Sequence, residues 1–229
     1  MALGQLSIYS ETKNGRCAYF CWMDAAWFLQ EIKRIKAIAD IGLLFTENEY
    51  DIERFTELRQ ISYRLLNGLT GLGHKDLEIA FPAQADYPTA KVDIRGLTIS
   101  EDKKILLVRE LADGKWSLPG GWADIGHSPG ETVVKETWEE TGLVIEPQAL
   151  MAVFDTRLHP HPPEPFYVYK LVFYCKLVTG ELSPGFDALE AGFFNLENLP
   201  PLSENRILKS QLELVYHKAM ASDFKVYFD

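Results

Sequence analysis

The sequence has few cysteines, no excess of basic charge and no long apolar run, and each shortage excludes a class of protein. Three cysteines cannot all pair within one chain, and none lies in a Cys/His array with zinc-ligand spacing, so we expect reduced thiols and a cytoplasmic protein. The formal net charge of −10 disfavours nucleic acid as a partner, because sequence-independent binding needs a basic face. No segment reaches the roughly 20 uninterrupted apolar residues of a membrane span, so we expect no membrane partner.

The composition is that of a globular protein with a buried core. Of 229 residues, 47% are hydrophobic and 24% are charged, which fits one domain with an appendage or two small domains. The first 22 residues show neither helical nor strand periodicity, and a regular amphipathic pattern begins only after Met23. We therefore expect residues 1–22 to form a loose extension.

Residues 23–67 have the pattern of a small helical region. From Asp24 onward, apolar residues recur at helical spacing, and Asn48 is a suitable N-cap for a second helix. Residues 68–90 are rich in Gly, Pro and Ala, which predicts a linker. The apolar helix faces either cover the following domain or meet their copies in a homodimer. Periodicity does not separate the two, and we carry the homodimer as the working expectation.

Residues 91–229 alternate between strand and helix patterns, which predicts an α/β sandwich with a mixed sheet. The predicted order is two strands, a Gly/Pro-rich loop, a capped helix, two strands and a closing helix. The predicted elements are the strands Lys91–Ser100 and Lys104–Glu110, the helix Ser128–Thr141, the strands Leu150–Arg157 and Phe166–Leu177, and the helix Glu204–Ala221.

The predicted central helix carries a dense carboxylate cluster. Ser128 and Glu131 form a Ser-x-x-Glu capping box at its start. Glu136, Glu139 and Glu140 stand at i, i+3 and i+4, so they share one helix face and repel one another. A hard divalent cation with oxygen ligands would offset that repulsion, which predicts Mg²⁺, with Mn²⁺ as an alternative.

A solvated acidic helix face is the other interpretation of the same three glutamates. The glycines around the helix favour the cation. Gly120 and Gly121 allow the backbone to approach the cluster closely, and Gly142 is a typical helix C-cap.

This segment resembles the signature of the Nudix hydrolase family, which has a Gly, a Glu, and then Arg-Glu-aliphatic-x-Glu-Glu-x-Gly-aliphatic. The Gly falls on Gly121, and the closing part falls on residues 135–143, KETWEETGL. This sequence departs from the signature at three positions, with His127 for the first glutamate, Lys135 for the arginine and Thr137 for an aliphatic residue.

The resemblance implies a fold, a metal site and an activity. The fold would be a Nudix-type α/β/α sandwich with a mixed sheet, preceded by the small helical region. The metal ligands would be Glu136, Glu139, Glu140 and the backbone carbonyl of Gly120. The catalytic base would be Glu136, or Glu190 from a loop just before a probable strand.

The helical N-terminal region and the later strands resemble one subgroup of the family. That subgroup acts on a small-molecule nucleotide, a nucleoside diphosphate linked to another moiety. We expect metal-dependent hydrolysis of the pyrophosphate bond of ADP-ribose, with CDP-choline as the alternative substrate.

Six side chains are candidates for substrate contact. Arg95 and Arg109 suit phosphate oxygens, although cations on strand surfaces are the commoner case. Trp122 can stack on a base, although buried packing is the default for tryptophan. Arg157, His159 and His161 lead into a Pro-rich loop expected to border the site. A metal site on the two histidines is the weaker interpretation, because no further His or Cys lies nearby.

Two other functions share the pattern. A non-catalytic relative that senses a nucleotide is disfavoured by the intact glutamates, and metal-dependent turnover separates it from an enzyme. An exonuclease acting on RNA ends is disfavoured by the net charge of −10, and salt-sensitive RNA binding would favour it.

Overall fold

A computed structural model gives the fold of most of the chain, in two compact units, Met1–Thr89 and Ala90–Asp229. The predicted extension, residues 1–22, lies outside the described residues. None of the helices described is long and apolar enough to cross a membrane. The expected cytoplasmic location stays a prediction. The structure describes residues 25–71, 73–80, 87–164, 166–185 and 187–229.

The first unit contains the predicted pair of helices, α1 (Ala25–Phe45) and α2 (Glu49–Thr70). The side chain of Asn48 accepts hydrogen bonds from the backbone N–H groups at the start of α2, so the predicted N-cap is confirmed. The two helices pack closely at Gly42, where a Cβ atom would lie only 2.6 Å from the ring of Phe55. Glycine is therefore required at this crossing.

The predicted linker, residues 68–90, is wrong in part. Helix α2 continues to Thr70, and a further helix, α3 (His74–Ala80), follows it. Gly71 has φ +70° and its N–H bonds to the carbonyl of Asn67, so this glycine marks a helix C-cap. Leu77 of α3 is fully buried. A helix of seven residues shows too little periodicity to be found from sequence.

The second unit is built on two sheets. Its strands are β1 (Lys91–Thr98), β2 (Ile105–Glu110), β3 (Trp116–Ser117), β4 (Gly120–Trp122), β5 (Leu143–Asp155), β6 (Val168–Gly180), β7 (Ala188–Phe194) and β8 (Tyr227–Phe228). The helices are α4 (Pro129–Thr141) and α5 (Lys209–Met220). The mixed five-stranded sheet has the order β4-β1-β6-β5-β8, and the antiparallel three-stranded sheet has the order β3-β2-β7.

The two helices of this unit cover opposite faces of the five-stranded sheet. Ile94 of β1 packs in a cluster with Val133 of α4, whereas Leu97 packs in a larger core with Leu212 of α5. Residues an odd number apart on a strand point to opposite faces, so α4 and α5 lie on different sides. The predicted α/β sandwich with a mixed sheet is confirmed.

Several element boundaries differ from the prediction. The Gly/Pro-rich loop contains two short strands, β3 and β4, and the strand after α4 begins at Leu143 directly behind the helix. The closing helix is shorter than predicted, because it starts at Lys209. Strands of two or three residues are stabilised by pairing with distant partners, such as Ile94 with Gly121, and local propensity carries no trace of such pairs.

Candidate active site

Helix α4 begins at the predicted capping box, which the structure confirms. The Ser128 hydroxyl accepts from the backbone N–H of Glu131 at 3.2 Å, and the Glu131 carboxylate accepts from the backbone N–H of Ser128 at 2.8 Å. The helix ends at Gly142, whose φ of +72° is the left-handed C-cap conformation. Both ends of the helix that carries the glutamates are thus fixed by local hydrogen bonds.

Helix α4 lies unusually close to β1. A Cβ atom on Gly96 would fall 2.9 Å from Cγ2 of Val133 and 3.3 Å from Oγ1 of Thr137. Thr137 is fully buried against this strand, which explains why a small side chain stands at an otherwise aliphatic position of the signature. The close approach fixes the rotation of the helix about its axis and so the direction of its glutamate face.

Glu140 is held by the glycine turn, the backbone at Gly120 and Gly121. It is 7% exposed, and its Oε2 accepts a 2.9 Å hydrogen bond from the backbone N–H of Gly120. Burial raises the pKa of Glu140 to about 8, against the opposing effects of Arg95 and the Gly120 N–H. A positive charge beside this carboxyl group would favour its ionised form.

Glu136 and Glu139 share one cation, the ammonium group of Lys135. Its Nζ lies 3.3 Å from Oε1 of Glu136 and 3.3 Å from Oε2 of Glu139. The same Nζ donates to Oδ2 of Asp124 at 3.1 Å. Gly121 lies against this group, because a Cβ atom there would fall 2.7 Å from Oε2 of Glu136.

The donors at this helix face suit a hard divalent cation. The side chains are carboxylates, Gly121 leaves the space that a side chain would fill, and Lys135 already places a positive charge between two of them. Among the residues that the structure describes, no three His, Cys, Asp or Glu side chains are close enough together to hold one metal ion.

A buried network of charged side chains anchors the glycine turn on its buried side. Asp93 accepts from Lys170 at 2.6 Å and from Nε of Arg95 at 3.0 Å. Arg95 also donates from Nη1 to the carbonyl of Leu118 at 3.0 Å, two residues before Gly120. Burial alone would raise the pKa of Asp93, but the charges of Arg95 and Lys170 hold it below its ordinary value. The network therefore fixes the start of the turn that donates to Glu140.

The burial of Arg95 argues against its predicted role as a phosphate contact. The residue is 0% exposed, and its guanidinium group is used by Asp93, Glu110, Ser117 and the Leu118 carbonyl. Residues two positions apart on a strand point to the same face, so opposite charges at that spacing can pair inside the protein. The Asp93-x-Arg95 spacing was therefore a sequence signal for a buried ion pair.

Arg109 and Glu190 form an ion pair between β2 and β7. Nη1 of Arg109 lies 2.8 Å from Oε1 of Glu190, and its Nε donates to the carbonyl of Gly114 at 2.9 Å. Glu190 lies within β7 and not in a loop before a strand as predicted. Both side chains are partly exposed. Their roles as phosphate contact and base stay predictions.

The Pro-rich loop is held by its own contacts. Arg157 donates hydrogen bonds from Nε and Nη2 to the carboxylate of Asp155. The ring of His159 lies 3.0 Å from the carboxylate of Asp229. Nδ1 of His161 lies 2.6 Å from the carbonyl of Glu204, and burial lowers the pKa of His161 to about 4. These contacts favour a structural role for both histidines over substrate contact. Arg157 remains partly exposed and stays a substrate-binding prediction.

Trp122 lies at the end of β4 and directly follows Gly121, the residue that lies against Glu136. It is 40% exposed, which is unusual for tryptophan. The ammonium group of Lys91 lies 5.2 Å from the centre of its ring and 3.7 Å from that of Phe166. Sequence reasoning missed Lys91 and Phe166, because Lys91 meets the two rings only through the pairing of its strand β1 with β4 and with β6.

Comparisons with known proteins agree with this geometry. Residues 27–81 match the family described as "UDP-X-like, N-terminal oligomerisation domain", and residues 90–214 match the NUDIX domain. A Bacillus subtilis protein named "Putative ADP-ribose pyrophosphatase YjhB" is 41% identical over 205 residues, which cover 88% of this chain and 97% of that protein.

Two solved structures are also similar. An ADP-ribose pyrophosphatase from Streptococcus suis has a TM-score of 0.54 and 38% identity, covering 62% of this chain and all of that one. A UDP-X diphosphatase has a TM-score of 0.58 and 35% identity, covering 90% of this chain and all of that one. The chain therefore belongs to the Nudix family and is a Nudix hydrolase.

Proposed function

We propose that this enzyme hydrolyses the pyrophosphate bond of a nucleoside diphosphate linked to another moiety, with ADP-ribose as the first substrate and a divalent metal ion as cofactor. The observation that carries the proposal is the glutamate face of α4, where Glu140 is fixed by Gly120 and a cation already lies between Glu136 and Glu139. The names of the Bacillus and Streptococcus relatives support ADP-ribose as the substrate.

The ligands of the ion would be Glu136, Glu139, Glu140 and the backbone carbonyl of Gly120. When bound, Mg²⁺ or Mn²⁺ neutralises pyrophosphate oxygens and makes a water molecule more acidic. A side chain at residue 121 would collide with Glu136, so the glycine keeps room beside the carboxylates for the diphosphate. Carboxylate and carbonyl oxygens are the ligands that hard divalent cations prefer.

Glu136 is the proposed base that accepts a proton from the attacking water. Partial burial raises its pKa, against the effect of Lys135, and a raised pKa makes a carboxylate a better proton acceptor. Glu190 is the alternative base. Its carboxylate is paired with Arg109, and the pair would have to open before Glu190 could accept a proton or Arg109 could bind a phosphate.

Trp122 is the proposed stacking surface for the nucleobase. Its ring is exposed and adjacent in sequence to Gly121, and Lys91 places a positive charge over the same ring. Trp122 and Gly121 point to opposite faces of β4, which is an edge strand of its sheet. A substrate with its diphosphate at Glu136 would therefore reach around this edge to place its base on Trp122, with Arg157 as a further candidate contact.

A UDP-linked compound is the second candidate substrate, because the similar UDP-X diphosphatase covers 90% of this chain, including the helical region. CDP-choline has the same diphosphate core and remains an alternative. A nucleotide sensor and an RNA-end exonuclease would use the same fold without this small-molecule turnover.

We also propose that the helical region forms a homodimer. The description of the matching N-terminal family as an oligomerisation domain supports this, as do large apolar side chains left exposed on α1 and α2, among them Phe45 at 70% and Tyr50 at 72%. Light scattering coupled to size exclusion tests it. A mass near 52 kDa (twice the chain mass of 26.0 kDa) supports the dimer, and a mass near 26.0 kDa contradicts it.

The substrate is tested with purified protein and Mg²⁺ on ADP-ribose, UDP-glucose, CDP-choline, NADH and a capped RNA. Products are separated by ion-exchange chromatography. AMP and ribose 5-phosphate from ADP-ribose, with at least tenfold higher kcat/KM than for the other compounds, support the proposal. Preference for the UDP compound would move the assignment to the second candidate, and binding without turnover would favour a sensor.

A further inference from the structure

The ammonium group of Lys135 is shared between proposed metal ligands and one other carboxylate. Glu136 and Glu139 belong to the proposed ligand set, whereas Asp124 lies in the loop between β4 and α4. All three oxygens lie within 3.1–3.3 Å of Nζ. The ammonium group therefore pairs with two carboxylates of the proposed metal site and with one carboxylate outside it, that of Asp124.

A divalent ion and this ammonium group cannot occupy the same oxygens. Two positive charges a few ångströms apart repel, and a carboxylate oxygen at 3.3 Å from Nζ is already oriented towards Lys135. Metal binding to the oxygens that Lys135 contacts, Oε1 of Glu136 and Oε2 of Glu139, therefore displaces the ammonium group from them. The long flexible side chain of lysine allows the movement, provided that another acceptor is within reach.

We propose that Asp124 is a positioning residue that takes up Lys135 when a divalent ion binds the helix glutamates. Its carboxylate already contacts Nζ at 3.1 Å, so Lys135 keeps one ion pair through the exchange. Without Asp124, the ion-pair partners left to the ammonium group among the described residues would be the two metal ligands, and it would compete with the ion. Asp124 thus lowers the metal concentration that the site requires.

The sequence supports a special role for this loop. His127 stands where the family signature has a glutamate, so the usual carboxylate of the loop is missing. Asp124 supplies a carboxylate three residues earlier, and the backbone N–H of His127 bonds to the Asp124 carbonyl at 3.3 Å, which places the two residues in one turn.

The inference rests on the proposed metal site, and it is tested without substrate. Mn²⁺ binding to the full-length protein is measured by electron paramagnetic resonance of the free ion, for the wild type, Asp124→Asn, Lys135→Met and the double variant. Asp102→Asn is the control for lost surface charge, because Asp102 is exposed and pairs with Lys104 away from the site. Thermal melting in EDTA shows whether each variant folds.

Asp124→Asn should weaken Mn²⁺ binding by about two- to five-fold, the factor that one partly exposed ion pair supplies. Asp102→Asn should leave binding unchanged, and Asp124→Glu should restore it. Lys135→Met should bind at least as tightly as the wild type, and adding Asp124→Asn to it should have no further effect. Equal weakening by Asp124→Asn with and without Lys135, or none in either, would overturn the proposal.

The readout separates this inference from the proposed reaction. Mn²⁺ binding that follows the expected pattern, in a protein that cleaves no diphosphate compound, would leave the exchange intact and refute the reaction. A wild-type protein that binds no Mn²⁺ would refute both the metal site and the exchange.

Discussion

The backbone N–H of Gly120 donates a 2.9 Å hydrogen bond to Oε2 of Glu140, and this bond joins the glycine turn to the glutamate helix. The two residues are 20 positions apart. The bond uses one carboxylate oxygen of Glu140 and orients the other. Because Arg95 anchors the same turn from the buried side, the direction of Glu140 depends on residues that never reach the surface.

The turn should not tolerate a side chain. Gly120 has φ +143°, and a Cβ atom there would lie 1.9 Å from the carbonyl oxygen of Ile94. Gly120→Ala should therefore lower the free energy of unfolding by about 1–3 kcal/mol and reduce turnover. Gly130→Ala is the matched control, because the helical position is open and alanine should stabilise it by about 0.5–1 kcal/mol. Urea denaturation measures both changes, and equal effects at the two positions would contradict the account.

Two arginines proposed from sequence as phosphate contacts should behave differently when each is changed to leucine. Arg95→Leu removes one of the two cations that pair with buried Asp93 and also removes the guanidinium group beside buried Glu110, so we expect a loss of about 3–5 kcal/mol of stability. Arg109→Leu removes a partly exposed pair with Glu190, so we expect less than about 1 kcal/mol. A stable Arg95 variant with a raised KM would restore the original prediction of substrate contact.

The buried network also predicts how stability depends on pH. The pKa of Asp93 is lower in the folded chain than its ordinary value of 3.8, so ionised Asp93 stabilises the fold above that value. The contribution is lost as the pH falls through the lower, folded-state pKa, because protonation removes its pairing with Arg95 and Lys170. Unfolding by urea between pH 7 and pH 2.5 should show this acid loss in the wild type. An Asp93→Asn protein should be less stable at pH 7 and should lack that part of the slope.

Trp122 and Trp138 give a matched test of base stacking. Both are exposed, at 40% and 57%, but within the described part of the chain Trp122 alone of the two has a lysine ammonium over its ring. Trp122→Ala should raise the KM for ADP-ribose by about 10-fold or more, since a base stacked on an aromatic ring is stabilised by about 1–3 kcal/mol. Trp138→Ala should change the KM by less than twofold. A similar rise in both variants would remove Trp122 from the substrate site.

The sequence predicted the parts of the site that local chemistry determines. The capping box at Ser128, the C-cap at Gly142 and the N-cap at Asn48 depend on neighbouring residues, and each is found where it was predicted. The spacing of the three glutamates likewise places them on one helix face, because the helical repeat is fixed.

The rest of the site depends on pairings between distant strands. Burial of Arg95 follows from its contacts with Glu110 and Leu118, and the position of Glu190 follows from the pairing of β7 with β2. Asp124 became a partner of Lys135 only through the fold of the loop before α4. No periodicity in a single sequence records such contacts, and so these were the residues that sequence reasoning misplaced or missed.

The central claim is that the glutamate face of α4 holds the metal ion that a pyrophosphate cleavage needs. The most direct measurement compares kcat for ADP-ribose in the wild type, Glu139→Gln and Glu140→Gln, with Mg²⁺ and with excess EDTA. Glutamine keeps the size of each side chain, and its amide oxygen can still accept from Gly120, so both variants should melt within a few degrees of the wild type. We expect each to lose about 100-fold or more in kcat, and the wild type to lose all measurable turnover in EDTA. Turnover that survives EDTA, or folded variants with wild-type kcat, would contradict the account.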